Sequence, residues 1–286
     1  MRLFVFGYGF SARALARRLA PQGWTVAATF RDEGGAARLS AEGVEPIALT
    51  DPDAIAAEMG SAQAVLITAP PTAQGCPALP ALVRPMAKAG AFPDWIGYLS
   101  TTGVYGDRRG GWVFEQSRLA AQSTEGARRV GAERDWLEVG RGMGLTVTIH
   151  RLPGIYGPGR SAFDRLREGR ARRVSAPGQV FSRIHVDDLA AGLAASIARP
   201  RAGGIYNFCD DEPAPNSQVV AYAAQLLGME PPPEETLDLE TLNPSARRFY
   251  AETKRVSNAL AKAELGWRPQ YPTYREGLAA ILAAGG

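Results

Sequence analysis

The stretch that most constrains this chain is Leu3 to Arg18, where a short apolar run gives way to glycines and then to helix-forming residues. Leu3-Phe4-Val5-Phe6 predicts a buried strand, Gly7-Tyr8-Gly9-Phe10-Ser11-Ala12 follows, and the Ala/Leu/Arg run beyond it predicts a helix. Strand, G-x-G-x-x-A loop and helix in that order imply a dinucleotide site. Gly7 permits the tight turn, Gly9 lets backbone approach a pyrophosphate, and Ala12 is small enough for the helix to pack on the strand. The amides of Phe10, Ser11 and Ala12 open the helix and would face the anion.

The remaining composition narrows the class. At 286 residues with 45 % apolar content the chain can bury a large core. Its formal charge of +3 is small and spread out, and the densest basic pairs, Arg128-Arg129 and Arg172-Arg173, lack the interleaved aromatics of a nucleic-acid groove. No nucleic-acid partner is expected. Two cysteines, Cys76 and Cys209, make neither a disulfide framework nor a metal motif, so no metal is expected. The first residues already read as strand, with no basic leader and no long apolar run, which predicts a cytoplasmic location and no membrane span. The expected partner is a small-molecule substrate, with a homodimer left open.

Strand and helix patterns then alternate. Trp24 to Phe30 reads as the second strand, running into Arg31-Asp32-Glu33. An acidic residue at this strand end would select NAD through the ribose, whereas an arginine accommodates the extra phosphate of NADP. Counting from the glycine motif lands on Asp32 and favours NAD; counting from the strand end lands on Phe30 and Arg31 and favours NADP. The strand end is the better anchor, because intervening helix and loop lengths vary, so NADP is expected with NAD possible. Val44 to Leu49 predicts a third strand, followed by Asp51-Pro52, where Asp51 is either an adenine-side contact or a helix N-cap. Ala64 to Thr68 is continuously apolar, as in a strand buried on both faces, and leads into Ala69-Pro70, so Thr68, Ala69 and Pro70 are expected beside the cofactor. Trp95 to Leu99 is the fifth strand. The alternation predicts an α/β fold with a Rossmann-type doubly wound parallel sheet and ligands beyond the strand carboxyl ends.

Ser100-Thr101-Thr102-Gly103-Val104-Tyr105-Gly106 follows that fifth strand. Further along come Arg151-Leu152-Pro153-Gly154-Ile155-Tyr156-Gly157-Pro158-Gly159, Ile184-His185-Val186-Asp187-Asp188-Leu189-Ala190, Ile205-Tyr206-Asn207-Phe208 and Leu265-Gly266-Trp267-Arg268-Pro269. In this order the segments resemble those of the extended short-chain dehydrogenase/reductase superfamily, the group containing NAD(P)-dependent sugar epimerases and dehydratases. The resemblance spans nearly the whole chain. It implies a dinucleotide-binding domain over 1–152 plus about 181–209, and a smaller C-terminal α/β substrate lobe over about 153–180 plus 210–286. Within that lobe, Glu230 to Glu235 reads as a proline-stiffened connector.

The same resemblance implies a catalytic Tyr and Lys spaced Y-x-x-x-K, and this sequence lacks them. No Tyr occurs between Tyr105 and Tyr156, and no Lys between Lys88 and Lys254. Anchored on Glu133, which matches the family's downstream Glu, Glu125 takes the place of the Tyr and Arg129 that of the Lys. At i and i+4 they could equally be a helix-surface ion pair. Facing a nicotinamide, Arg129 would donate to ribose hydroxyls, and Glu125 would serve as a base. Thr101 matches the family's Ser/Thr and would orient the reacting oxygen. Thr102, Tyr105, Tyr156, Arg183 and Tyr250 are the candidate substrate contacts, and Arg160 is a further one for a phosphate or carboxylate. Tyr250-Ala251-Glu252-Thr253-Lys254 repeats the Y-x-x-x-K spacing far outside the sheet and reads as a coincidence. Asp187 reads as the N-cap of the next helix, and His185 and His150 as buried.

These features give two functional readings. One is an NADP-favouring oxidoreductase or epimerase acting on a polar, sugar-derived or nucleotide-linked substrate. The other is a catalytically silent NADP(H)-binding redox sensor.

Overall fold

The computed structural model describes residues 1–238, 240, 247 and 250–285. They divide into two compact units, Met1–Thr101 with Thr124–Arg151 and Leu189–Tyr206, and Thr102–Ser123 with Leu152–Asp188 and Asn207–Gly286. The sequence groups 102–123 and 181–188 with the dinucleotide domain, whereas here they belong to the second unit.

The first unit is built on a seven-stranded sheet, β1 (Arg2–Phe6), β2 (Thr25–Phe30), β3 (Glu45–Ala48), β4 (Ala64–Ile67), β5 (Trp95–Thr101), β6 (Val147–Leu152) and β7 (Gly204–Asn207). Their spatial order is β7-β6-β5-β4-β1-β2-β3, and the ladders linking β3, β2, β1, β4 and β5 are parallel. This is the Rossmann-type doubly wound sheet. The winding reverses between β1 and β4, so the crevice beyond their carboxyl ends is where ligands bind in such sheets. Helices α1 (Phe10–Leu19), α2 (Gly35–Ala41), α3 (Pro52–Ser61), α4 (Ala78–Ala89) and α5 (Thr124–Met143) supply the crossovers. Parallel strands covered on both faces need apolar side chains throughout. Ala64, Val65, Leu66 and Ile67 accordingly have no exposure at all. Ala12 and Leu15 of α1 are also fully buried, which is the close helix packing that a small residue at the third motif position permits.

At the far side of this sheet, Trp95 Nε1 donates to Ser196 Oγ (3.0 Å), and His150 Nε2 lies 3.1 Å from the same oxygen. His150 is completely buried, in line with its core assignment.

The second unit has its own core, in which Phe163, Leu166, Val220, Ala223, Tyr274, Leu278 and Ile281 pack together. They come from α6 (Ala162–Arg167), α8 (Asn216–Leu226) and α10 (Tyr274–Ala283), while α7 (Val186–Ala198) and α9 (Ala259–Leu265) complete the helices used below. Two local expectations change. Glu234–Thr236, read as a connector, is a strand paired in parallel with Arg173–Ser175, a long-range pairing that local composition does not reveal. Asp187 lies inside α7, not ahead of it, and its amide donates to His185 Nδ1 (3.2 Å). Trp267 of the L-G-W segment donates through Nε1 to the Asp188 carbonyl, and the amides of Gln270 and Tyr271 donate to the Asp188 carboxylate (2.6 and 3.0 Å). That bonding explains why a His-Val-Asp-Asp run and a distant Leu-Gly-Trp-x-Pro run occur together. Both free cysteines are buried, with Cys209 Sγ donating to the Val256 carbonyl and Cys76 Sγ accepting from Trp136 Nε1.

Burial pulls the His150 pKa down to about 3, and burial lowers that of His185 against the opposing Asp187 charge. In the unfolded chain both titrate near 6.5. The neutral rings therefore stabilise the fold fully above pH 6.5, and that contribution falls away as the pH drops toward the folded values. We expect Tm to decline between pH 6.5 and 5, approaching about 1.4 kcal/mol per pH unit for His150, with His185 adding in the same direction, and His150→Gln to flatten the decline. A flat wild-type profile over this window would contradict the assignment.

Candidate functional site

At the winding reversal, Gly7 carries φ +94°, a conformation that L side chains rarely adopt. A Cβ there would also lie 3.0 Å from Thr68 Oγ1 and 3.2 Å from Ala69 N. Two hydroxyls fix the turn. The Gly7 amide donates to Thr29 Oγ1 (3.0 Å), and the Thr68 hydroxyl donates to the Gly7 carbonyl. Thr29, which sequence reading passed over as one more strand residue, thus works beside Thr68, whose side chain is used in shaping the turn. Ala69 and Pro70 continue from Thr68.

Gly9 is the N-cap of α1, with φ −113° and ψ −161°. No side chain caps the helix and its first turn holds no acidic residue, although four amides at a helix start lack intrahelical partners. Nothing lies within 4 Å of a Cβ built on Gly9, so the space over the helix end is open. Fixed turn, open glycine and uncapped amides together fit a dinucleotide pyrophosphate.

The end of β2 bears on which dinucleotide. Arg31 is exposed, and the Asp32 carboxylate is gripped by Arg38 at 2.6 and 2.8 Å. Arg38, missed in the sequence, brings a second guanidinium to this strand end by pairing with Asp32. Asp51 is the N-cap of α3, accepting from the Ala54 amide (2.9 Å), so of its two readings the structure displays the capping one.

Of the proposed catalytic residues, Thr101 closes β5, Glu125 is exposed on the first turn of α5, and Arg129 follows one turn later. Arg129 donates to Tyr98 Oη (3.1 Å) and to the Leu99 carbonyl, with its guanidinium 5.5 Å from the Tyr98 ring centroid. Burial raises the Tyr98 pKa, so its phenol stays neutral and accepts this bond. Arg129 therefore fastens α5 to β5. Deeper in the same helix, Glu133 is 2 % exposed and takes two donors of Arg151 (Nη2 at 2.7 Å, Nε at 3.1 Å) and the Ser100 hydroxyl (2.5 Å). That buried pair joins α5, β5 and β6.

In the second unit, Gly154–Tyr156 and Arg183–His185 form a parallel ladder, pairing Arg183 with Gly154 and His185 with Tyr156. The two sequence segments that carry Y-G-P-G and I-H-V-D-D are thus one structural unit. Tyr156, Arg183 and Tyr250 line a common cleft of about 690 Å³ with Phe181, Asn216 and Tyr274. Tyr156 leans so closely on α10 that a Cβ at Gly277 would fall 2.0 Å from its hydroxyl, a contact no sequence pattern announces. Tyr105 does not belong to this group. It has no exposure, and its phenol donates to Asn207 Oδ1 (2.7 Å), whose own amide nitrogen donates to the Ser257 carbonyl. Thr102 is also buried. Lys254 binds Glu252 (2.5 Å), while Tyr250 Oη accepts from Asn216 (3.1 Å), so the distant Y-x-x-x-K does not form a Tyr/Lys pair.

Among the described residues no cluster of His, Cys, Asp and Glu could hold a metal ion, and no helix is long and apolar enough to cross a membrane.

Comparison with known proteins agrees with this architecture. No family model matches the chain. Protein YeeZ of Escherichia coli K12 is 30 % identical over 95 % of this chain and 96 % of its own length. The chain belongs to the family of Protein YeeZ. Its structural neighbours, NAD-dependent epimerases and dehydratases, are consistent with an atypical extended short-chain dehydrogenase/reductase. A solved structure from Silicibacter pomeroyi, described as a functionally unknown conserved protein, superposes with TM-score 0.91 at 46 % identity, covering 99 % of this chain and 98 % of that one. The dTDP-glucose 4,6-dehydratase of Bacillus anthracis in complex with NAD has TM-score 0.80 at 17 % identity, over 99 % and 96 % of the two chains, and shares the fold. In this YeeZ-family chain the superfamily's sheet and glycine turn are kept while the Tyr/Lys pair is absent.

Removing one member of the buried Glu133–Arg151 pair strands the other charge. Glu133→Ala should therefore cost about 3–5 kcal/mol in denaturant unfolding. A loss under about 1 kcal/mol would show that the pair does not hold α5 against the sheet.

Proposed function

We propose that this protein is a nicotinamide-dinucleotide-dependent oxidoreductase or epimerase acting on a polar, anionic substrate, with NADP favoured over NAD. The observation that carries this reading is the uncapped N-terminus of α1 above the locked Gly7 turn, an anion cradle at the sheet's switch point. NADP preference rests on Arg31 at the β2 end, where the Asp32 carboxylate is paired with Arg38. Sugar-derived or nucleotide-linked substrates follow from the superfamily alone.

The bound cofactor would supply hydride transfer. Gly7, Gly9, Phe10, Ser11 and Ala12 would hold its pyrophosphate, with Arg31 on the adenosine side. Thr101, at the carboxyl end of β5, would orient the reacting oxygen, and the exposed Glu125 carboxylate would receive or return the proton. Arg129 supports this from behind by fixing α5 to β5 through Leu99 and Tyr98.

The same Arg129 bonds favour a second reading. Where the superfamily places its Lys, this chain has a side chain that braces the helix, as expected of an NADP(H)-binding redox sensor without turnover.

Titration of NADPH and NADH into the protein, followed by a screen of carbonyl compounds and nucleotide sugars at the nicotinamide absorbance band, separates the two. Turnover lost in Thr101→Ala and Glu125→Gln supports the enzyme; binding without turnover supports the sensor; no binding of either nucleotide refutes both. For Arg31→Ala we expect about tenfold weaker NADPH binding with NADH little changed, the equivalent of one charge-assisted bond. An unchanged NADPH/NADH ratio would remove the NADP preference.

A further inference from the structure

In the second unit, one face of the ladder between Gly154–Tyr156 and Arg183–His185 gathers buried polar groups. The register sets His185 beside Tyr156, and Arg183 lies two residues before His185, so the three side chains leave the ladder on the same side. The Tyr156 and His185 rings meet edge to face at 5.3 Å, as that register requires. Asp210 is brought to the same place by its backbone, whose amide donates to the Arg183 carbonyl (2.7 Å).

Arg183 and Asp210 are 9 % and 2 % exposed. One end of the guanidinium donates to the Ala214 carbonyl (3.1 Å) and the fork lies 5.5 Å from the Tyr274 ring centroid, but Nη1 is buried without a protein partner. The same holds for both carboxylate oxygens of Asp210, the Tyr156 hydroxyl and His185 Nε2. Burial lowers the Arg183 pKa and raises that of Asp210, and in each case the largest opposing influence is the charge of the other. Tyr156 feels both charges, so the three groups are neighbours that do not touch.

The mixture of donors and acceptors says what fits between them. His185 Nδ1 accepts from the Asp187 amide, which leaves the ring proton on Nε2. The site therefore offers donors in Arg183 Nη1 and His185 Nε2, acceptors in Asp210, and a Tyr156 hydroxyl that serves as either. A guanidinium stays protonated, and Asp210 is the acid whose charge acts on it most strongly. A metal ion would be repelled by the guanidinium and a small anion by the carboxylate, while an apolar guest would satisfy none of these atoms. Water donates and accepts, and a buried molecule typically makes about three such bonds.

We propose that Tyr156, Arg183 and Asp210 enclose a small cluster of bound water that bridges the guanidinium to the carboxylate, so that this buried pair is joined through solvent and not by direct contact. The bridge ties both strands of the ladder to the segment that follows β7. It also turns the polar ends of Tyr156 and Arg183 away from the cleft that their flanks line. The guanidiniums exposed around that cleft are those of Arg160, Arg165, Arg170 and Arg172.

A crystal structure of the full-length protein, at a resolution that shows ordered water, is the direct test. Water should lie within hydrogen-bond distance of both Arg183 Nη1 and an Asp210 oxygen, with Tyr156 Oη bonded to the same cluster. Direct contact between Asp210 and Arg183, or a site without water density, would overturn the proposal. Thermal unfolding gives a second reading. If the Tyr156 hydroxyl bonds water, Tyr156→Phe forfeits a net hydrogen bond and Tm falls by about 2–4 °C. A stranded hydroxyl would instead cost nothing to remove, so an unchanged or raised Tm would contradict the bridge. Asp210→Asn keeps the shape of the side chain but removes the counter-charge, and should lower Tm further than Tyr156→Phe. An Asp210→Asn Tm at or above the wild-type value would refute the pairing.

Discussion

Everything proposed for this protein depends on one backbone constraint, the positive-φ turn at Gly7. Thr29 from β2 and Thr68 after β4 hold that turn from either side, so the two strands flanking β1 fix where α1 begins. The hydroxyl bonds satisfy the amide and carbonyl that a tight, half-buried turn would otherwise leave without protein partners. With Gly7 fixed, the start of α1 is aimed beyond the sheet at the point where the winding reverses. The anion binding proposed for this helix start would then result from fold geometry, needing no charged side chain.

Much of this was legible in the sequence because it is local. Strand composition, glycine spacing and the small Ala12 act over fewer than twenty residues, and β1 to β5 fall where the apolar runs predict, with β5 extended to Thr101. What was not legible depends on partners far along the chain. Thr29, Arg38 and Gly277 owe their roles to contacts that no periodicity encodes. The strand Glu234–Thr236 exists because Arg173–Ser175 pairs with it, and its proline-rich flank hid that.

Several residues with the right chemistry turn out to be occupied by structure. Asp51 caps α3, Arg129 braces α5 and Tyr105 bonds Asn207. Each is a polar group that burial or a helix end obliges to find a partner, so residue type alone overstated their availability. Tyr156 and Arg183 are the opposite case. The Tyr156 hydroxyl and Arg183 Nη1 are buried without a hydrogen-bond partner, whereas the fold satisfies the Tyr105 phenol and the Arg151 guanidinium.

The central claim is that the opening over Gly9 exists for a dinucleotide and contributes nothing to the fold. Its φ of −113° suits alanine, and a methyl group there meets nothing within 4 Å beyond its chain neighbours. The decisive measurement is the NADPH affinity of Gly9→Ala taken together with its Tm. The account predicts an affinity loss of at least about tenfold at an unchanged Tm. Full affinity at unchanged Tm, or a fall in Tm that accounts for the lost binding, would contradict it.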